Sequence, residues 1–168
     1  AEFLQAYDLV IWFTGYDWFQ PVTPEENSAL RSFLDGGGRL FLSSQDYLAR
    51  NGDSPIAQEF LGVAGFQESI TPTHVMFDEW TGFLPSIAGS VPLTYGVYQN
   101  FSDGLIPTAA ATPFLWHNQG SAAAIATSGV GEAPWRSVFW AFPFEAMPVE
   151  LQDVAFQSIL GQLSDIGD

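Results

Sequence analysis

The chain has 168 residues, 47% of them hydrophobic and 15% aromatic, with 19 acidic side chains against four arginines and no lysine. This is too apolar for a disordered chain, and a net charge of −15 disfavours nucleic acid and anionic membrane surfaces as partners. The absence of cysteine removes disulfide frameworks, thiolate metal sites and any thiol nucleophile together.

At this length one core suffices, burying roughly 70% of the surface of the unfolded chain, so residues 1–168 read as a single domain. No apolar run approaches the roughly 20 residues that a membrane-spanning helix needs, so membrane insertion is not expected. The opening at Ala1, without a leader, reads as a portion of a longer protein.

In chain order, Asp8 to Thr14 is a continuous apolar run ending at Gly15. It predicts a strand buried on both faces at the centre of a parallel sheet. Thr23-Pro24-Glu25-Glu26 combines a capping Thr, a Pro at the first helical position and a Glu at N3. Ala29, Leu30, Phe33 and Leu34 then share one face of the predicted helix, which Gly36-Gly37-Gly38 ends. Arg39 to Ser43 predicts a second buried strand, completing a right-handed βαβ unit. In such a unit Gly15–Trp18 and Ser43–Asp46 share one rim of the sheet, the rim where doubly wound sheets place their sites.

Ser54 to Leu61 predicts a short helix capped by Ser54 and closed by Gly62. Residues 66–116 read as an irregular β-rich insertion with strand-like pieces at His74–Phe77, Pro92–Val97 and Thr112–Trp116. Ser121–Thr127 and Arg136–Phe142 predict an antiparallel pair joined around Gly129-Val130-Gly131. After Pro148 a helix is expected, with Leu151, Val154, Ala155, Ile159 and Leu163 facing the core.

These residues carry a resemblance. Tyr7 to Trp12 before a Gly, the helix, and Gly37 to Asp46 look like the segment of class I glutamine amidotransferase-like domains that leads to the nucleophile elbow. Val138 to Glu145 looks like the strand ending in that family's Phe-His-Pro-Glu. The resemblance covers residues 7–62 and 121–165 and implies a three-layer, flavodoxin-like α/β fold, with a mainly parallel sheet and helices on both faces. It places the elbow cysteine at Ser44, or at Ser43 if the register shifts by one. It places the histidine at Pro143 or Phe144, and the acid at Glu145. A serine needs a base to take its proton, and neither Pro nor Phe moves one. The resemblance therefore implies a non-catalytic branch, of the kind that accompanies secreted bacterial hydrolases and surface proteins. The family domain usually begins with a further strand and helix, which this sequence does not have before Tyr7.

Several candidate sites remain, each beside a plainer reading. Ser44, Gln45 and Asp46 could form a rim site with turn amides, or be a vestigial elbow that satisfies its own turn. His117 and His74 are the two imidazoles, each a surface or core histidine unless it reaches the rim. Ser44, His117 and Glu145 would make a conceivable triad that no spacing supports. Asn100 to Gly104 reads as a polar turn; no segment has the spacing of a calcium loop or a His-x-x-x-His helix, so no metal and no cofactor is expected. Tyr16, Asp17 and Trp18 on the rim, with Trp80, Tyr95, Tyr98 and Trp116, could stack on a glycan or a protein, or fill the core beneath long loops.

The expectation is a non-catalytic accessory or interaction domain of a larger secreted or cell-surface bacterial protein, without amidotransferase activity. Its partners would be neighbouring domains and a protein or glycan ligand. A serine-dependent hydrolase using Ser44 and a carbohydrate-binding module using the rim aromatics are the alternatives.

Overall fold

A computed structural model describes residues 3–77, 87, 89–130 and 132–164. Trp80, Asp78, Glu79 and Gly131 fall outside them. Strand β1 (Leu9–Phe13) leads into helix α1 (Pro24–Asp35), and β2 (Arg39–Ser43) returns parallel to β1 with Leu9 opposite Arg39 and Phe13 opposite Ser43. The start of α1 follows from its sequence. The Thr23 hydroxyl accepts from the Glu26 amide, and the Glu26 carboxylate accepts from the Thr23 amide at 2.8 Å. Its end needs glycine: Gly37 has φ +88°, and a Cβ on Gly38 would collide with the Phe33 ring.

Helix α2 (Tyr47–Asn51) and a π-helical turn (Ile56–Phe60) follow, the latter started by Ser54, whose hydroxyl accepts from the Ala57 amide. Six strands come next: β3 (Val63–Gln67), β4 (His74–Phe77), β5 (Gly89–Pro92), β6 (Gly104–Pro107), β7 (Thr112–His117) and β8 (Ala122–Ser128). The last strand, β9 (Arg136–Trp140), runs parallel to β2 and antiparallel to β8, and helix α3 (Val149–Ser164) closes the fold.

The nine strands of the described residues form one sheet, in the order β1-β2-β9-β8-β7-β4-β5, with β6 also pairing β8 and β3 pairing β6. The sheet is mixed rather than mainly parallel. Among the described residues two pairings, β1–β2 and β2–β9, are parallel and six are antiparallel. Parallel neighbours need long crossovers. The chain supplies one through α1 and another through the whole stretch from α2 to β8, whereas its short joints return strands antiparallel. The expected β-rich insertion is therefore an extension of the main sheet.

The first strand is also corrected. It pairs only with β2 among the described residues, and its mid-strand Ile11 is 40% exposed, so it lies at the sheet edge and not the centre. Its apolar run is still explained by two faces: Val10 and Trp12 pack towards α1, Leu9 and Phe13 towards α3.

Helices cover both faces. On one, Leu30, Phe33 and Leu34 of α1 pack with Tyr47, Leu48 and Ile56 against Leu40, Leu42 and Phe139. On the other, Ala155, Ile159 and Leu163 of α3 pack against Phe41, Val138 and Trp140. Alternate residues of β2 and β9 thus serve opposite cores, as the period of a strand requires. Val154, expected in the stripe of α3, points outward instead. Ile159→Ala is accordingly expected to destabilise by about 2–5 kcal/mol and Val154→Ala by less than about 0.5 kcal/mol, as read from urea midpoints.

Candidate functional site

The C-terminal ends of the parallel strands gather the sequence-predicted residues. Ser43 is fully buried; its hydroxyl donates to the Phe142 carbonyl at 2.9 Å and accepts from the Phe144 amide at 2.8 Å, tying the end of β2 to the turn after β9. Ser44 is 1% exposed, and its hydroxyl accepts from that of Thr14 at 2.8 Å. No imidazole or carboxylate bonds it among the described residues.

The other members of the conceivable triad lie elsewhere in bonding terms. His117 is buried at the end of β7, with Nε2 donating to the Asp103 carbonyl at 3.0 Å and its ring edge-on to Phe142. Burial holds its pKa down at about 4, so the ring is neutral, and its Nδ1 has no hydrogen-bond partner among the described residues. Glu145 sits exposed on a short helical turn, near Gly15 and Tyr16. At Pro143 and Phe144, where the sequence resemblance would place a histidine, the Phe144 ring stacks on Phe13 at 5.0 Å and packs on Trp140 at 5.4 Å. These contacts make that position part of the core. His74 stays at the surface, with Nδ1 3.0 Å from the Thr73 hydroxyl.

Gln45 is fully buried and joins two loops. Its amide donates to the Tyr16 carbonyl at 2.9 Å, and its carbonyl accepts from the Phe101 amide at 3.1 Å. The loop after β1 is shaped by Asp17, whose carboxylate accepts from the amides of Phe19 and Gln20. The facing loop is shaped by Asn100, whose side chain accepts from the Ser102 amide and donates to the Pro72 carbonyl.

Between these loops lies an open cleft of about 320 Å³ walled by Trp18 and Phe101, with Asp46, Arg50, Glu68 and Ser69 around it. The Trp18 ring is 55% exposed and lies 5.9 Å from that of Phe101 at a 37° tilt. The aromatic residues therefore divide. Trp18, Phe19 and Tyr98 are exposed, and Tyr98 stacks on Tyr16 at 4.3 Å. Tyr95 lies deeper, with its hydroxyl 2.6 Å from that of Ser102, and Trp116 is half-buried in β7.

Two buried carboxyls flank the cleft. Asp46 is 8% exposed at the N-terminus of α2 but does not cap it, and it accepts no hydrogen bond among the described residues. Burial pushes its pKa up to about 6, with Glu68 and Asp17 adding to the rise and Arg50 opposing it. The expected consequence is that Glu68→Gln lowers the Asp46 midpoint and Arg50→Gln raises it, as followed by carboxyl-carbon NMR. Asp103 is 1% exposed, accepts from the Ser69 amide at 3.0 Å, and is pushed up to about 8 chiefly by burial. That bond holds a turn in which Ser69 and the β-branched Thr71 take left-handed backbone, at φ 52° and 49°.

Sequence reasoning placed Tyr16, Asp17, Trp18, Gln45 and Asp46 on one rim, and the structure brings them together. It missed Arg50, Glu68, Ser69 and Phe101. The only signal for them was the polar turn at Asn100–Gly104, which announces a fixed loop without saying what it faces. Among the described residues no group of three or more His, Asp or Glu could hold a metal ion, and no helix is long and apolar enough to cross a membrane.

The arrangement defines an α/β protein whose elbow-like strand end is packed shut beside an open aromatic cleft. Comparison with solved structures places it among proteins of like fold. It matches a cytoplasmic protein from Salmonella typhimurium at TM-score 0.64 and 11% identity, over 96% of this chain and 74% of that one. It matches a β-galactosidase from Rahnella sp. R3 at TM-score 0.62 and 14% identity, over 94% of this chain but only 23% of the galactosidase. A glutamine amidotransferase from Thermotoga maritima matches at TM-score 0.54 and 14% identity, over 95% of this chain and 65% of that one. At these identities the likeness is one of fold alone. No protein-family model and no curated protein matches the sequence.

Proposed function

We propose that this chain is a non-catalytic accessory or interaction domain of the amidotransferase-like, flavodoxin-like type, working as part of a larger secreted or cell-surface bacterial protein. The observation that carries this reading is the state of the elbow: Ser44 is buried and bonded to Thr14, and Phe144 fills the core where a relay histidine would stand. A hydroxyl without a base does not become a nucleophile. Glu145 has no imidazole to orient.

The accessory part of the reading is supported by the Rahnella galactosidase, in which a like fold makes up 23% of a much longer chain. The extracellular setting is supported by the acidic, lysine-free composition. Neighbouring domains of the parent protein are the proposed partners. The test is turnover: the chain is expected to hydrolyse neither glutamine nor p-nitrophenyl esters above the rate of its Ser44→Ala variant. Turnover that Ser44→Ala abolishes would favour the hydrolase reading instead.

A further inference from the structure

We propose that the cleft lined by Trp18, Phe101 and Asp46 is a subsite for one neutral saccharide residue; this rests on reading the chain as a non-catalytic binding domain. The two rings lie against each other, 5.9 Å apart at a 37° tilt, too close for a ligand ring to enter between them, and the exposed Trp18 offers the apolar face on which a flat ligand can stack. The faces of a pyranose carry C–H groups that stack on such rings, while its rim carries hydroxyls that both donate and accept. The cleft offers partners for both. Asp46 and Glu68 accept, and Arg50 donates.

The Asp46 carboxylate is the observation that points to a ligand. The residue is more than nine-tenths buried, lines the cleft and accepts no hydrogen bond from the described residues, which leaves its acceptor oxygens free for a ligand hydroxyl. Charge narrows the class. Asp46, Glu68 and Asp17, on a chain of net charge −15, repel a phosphate, a sulfate or an acidic sugar. Arg50, one of only four bases and held 6.0 Å over the Phe19 ring, stands against an ammonium ligand. A neutral polyol satisfies both signs at once. At about 320 Å³ the cleft is at the low end of ligand pockets, the size for a single ring rather than an extended chain.

Gln45 is the positioning residue. It holds the Tyr16 and Phe101 backbones from one buried amide, and so fixes the separation of the two aromatic walls.

The test is a titration of the 168-residue chain with the methyl glycosides of glucose, galactose, mannose and N-acetylglucosamine, followed by saturation-transfer NMR and tryptophan fluorescence. At least one glycoside is expected to saturate with a Kd on the order of 1 mM. Trp18→Ala, at an exposed side chain, is expected to keep the urea midpoint and lose binding. Asp46→Asn and Glu68→Gln are each expected to weaken binding roughly tenfold. Gln45→Leu is expected to weaken binding to every glycoside alike. If no glycoside saturates, if Trp18→Ala leaves binding intact, or if tetramethylammonium binds at Trp18 in place of the glycosides, the saccharide subsite is wrong. None of those results touches the non-catalytic reading, which would fall instead if the chain released free sugar and methanol from a bound glycoside.

Discussion

Asp103→Asn is expected to flatten the fall in stability between about pH 6.5 and pH 8. The folded chain holds the Asp103 proton up to about 8, whereas the unfolded chain releases it near 3.8. The native state therefore binds more protons across that interval, and its stability declines as pH rises through it. Asp46, raised to about 6, adds to the decline only at lower pH. His117 acts in the opposite sense, because its pKa is lowered from 6.5 to about 4 and its contribution is lost as pH falls below 6.5. Among the described residues Asp103 is then the strongly shifted group that titrates above 6.5, and the loss by pH 8 should be roughly 1.5 kcal/mol at 1.36 kcal/mol per unit of pKa. Asn keeps an oxygen for the Ser69 amide and has no proton to lose. Urea midpoints at pH 6.5 and 8 should converge for the variant and separate for the parent chain; equal midpoints in the parent chain would show that Asp103 is already ionised at pH 6.5.

Phe144→Ala is expected to cost about 3–5 kcal/mol. The ring is nearly fully buried and meets Phe13, Phe41, Trp140 and Phe156 at centroid separations of 5.0 to 6.2 Å. Removing it leaves a cavity under the end of β9 that three strands border. The result matters because this is where the sequence resemblance would place a relay histidine. A loss below about 1 kcal/mol, with cooperative unfolding retained, would mean that the position is free to carry something other than core packing.

Much of the scaffold was legible because its signals are local. The capping box at Thr23 and Glu26, the glycines after Asp35 and the stripe of Ala155, Ile159 and Leu163 each lie within a turn or two of chain. The antiparallel pairing of β8 and β9 could be read from two runs and one loop. Strands β3 and β6 were missed because each is short and carries Gly or Pro, so neither shows a period. The edge position of β1 was missed because two half-buried faces read like one buried strand. Val154 shows the limit of helical spacing, which fixes a face but not its width.

The cleft was only half legible. Trp18 and Asp46 could be placed on the rim from the order of strands, but an aromatic residue looks the same in sequence whether it fills a core or walls a groove. The Gln45 clasp joins residues 29 and 56 positions away, and no local pattern announces such a bond. Burial of Asp46 and Asp103 runs against the usual exposure of carboxylates, so composition pointed away from it.

The central claim is that Ser44 is a packed structural residue and not a nucleophile. Incubating the chain with a fluorophosphonate, which captures activated serines, and reading intact mass tests it most directly. No adduct is expected on the folded chain. A stoichiometric adduct mapped to Ser44, absent after denaturation and absent in Ser44→Ala, would contradict it.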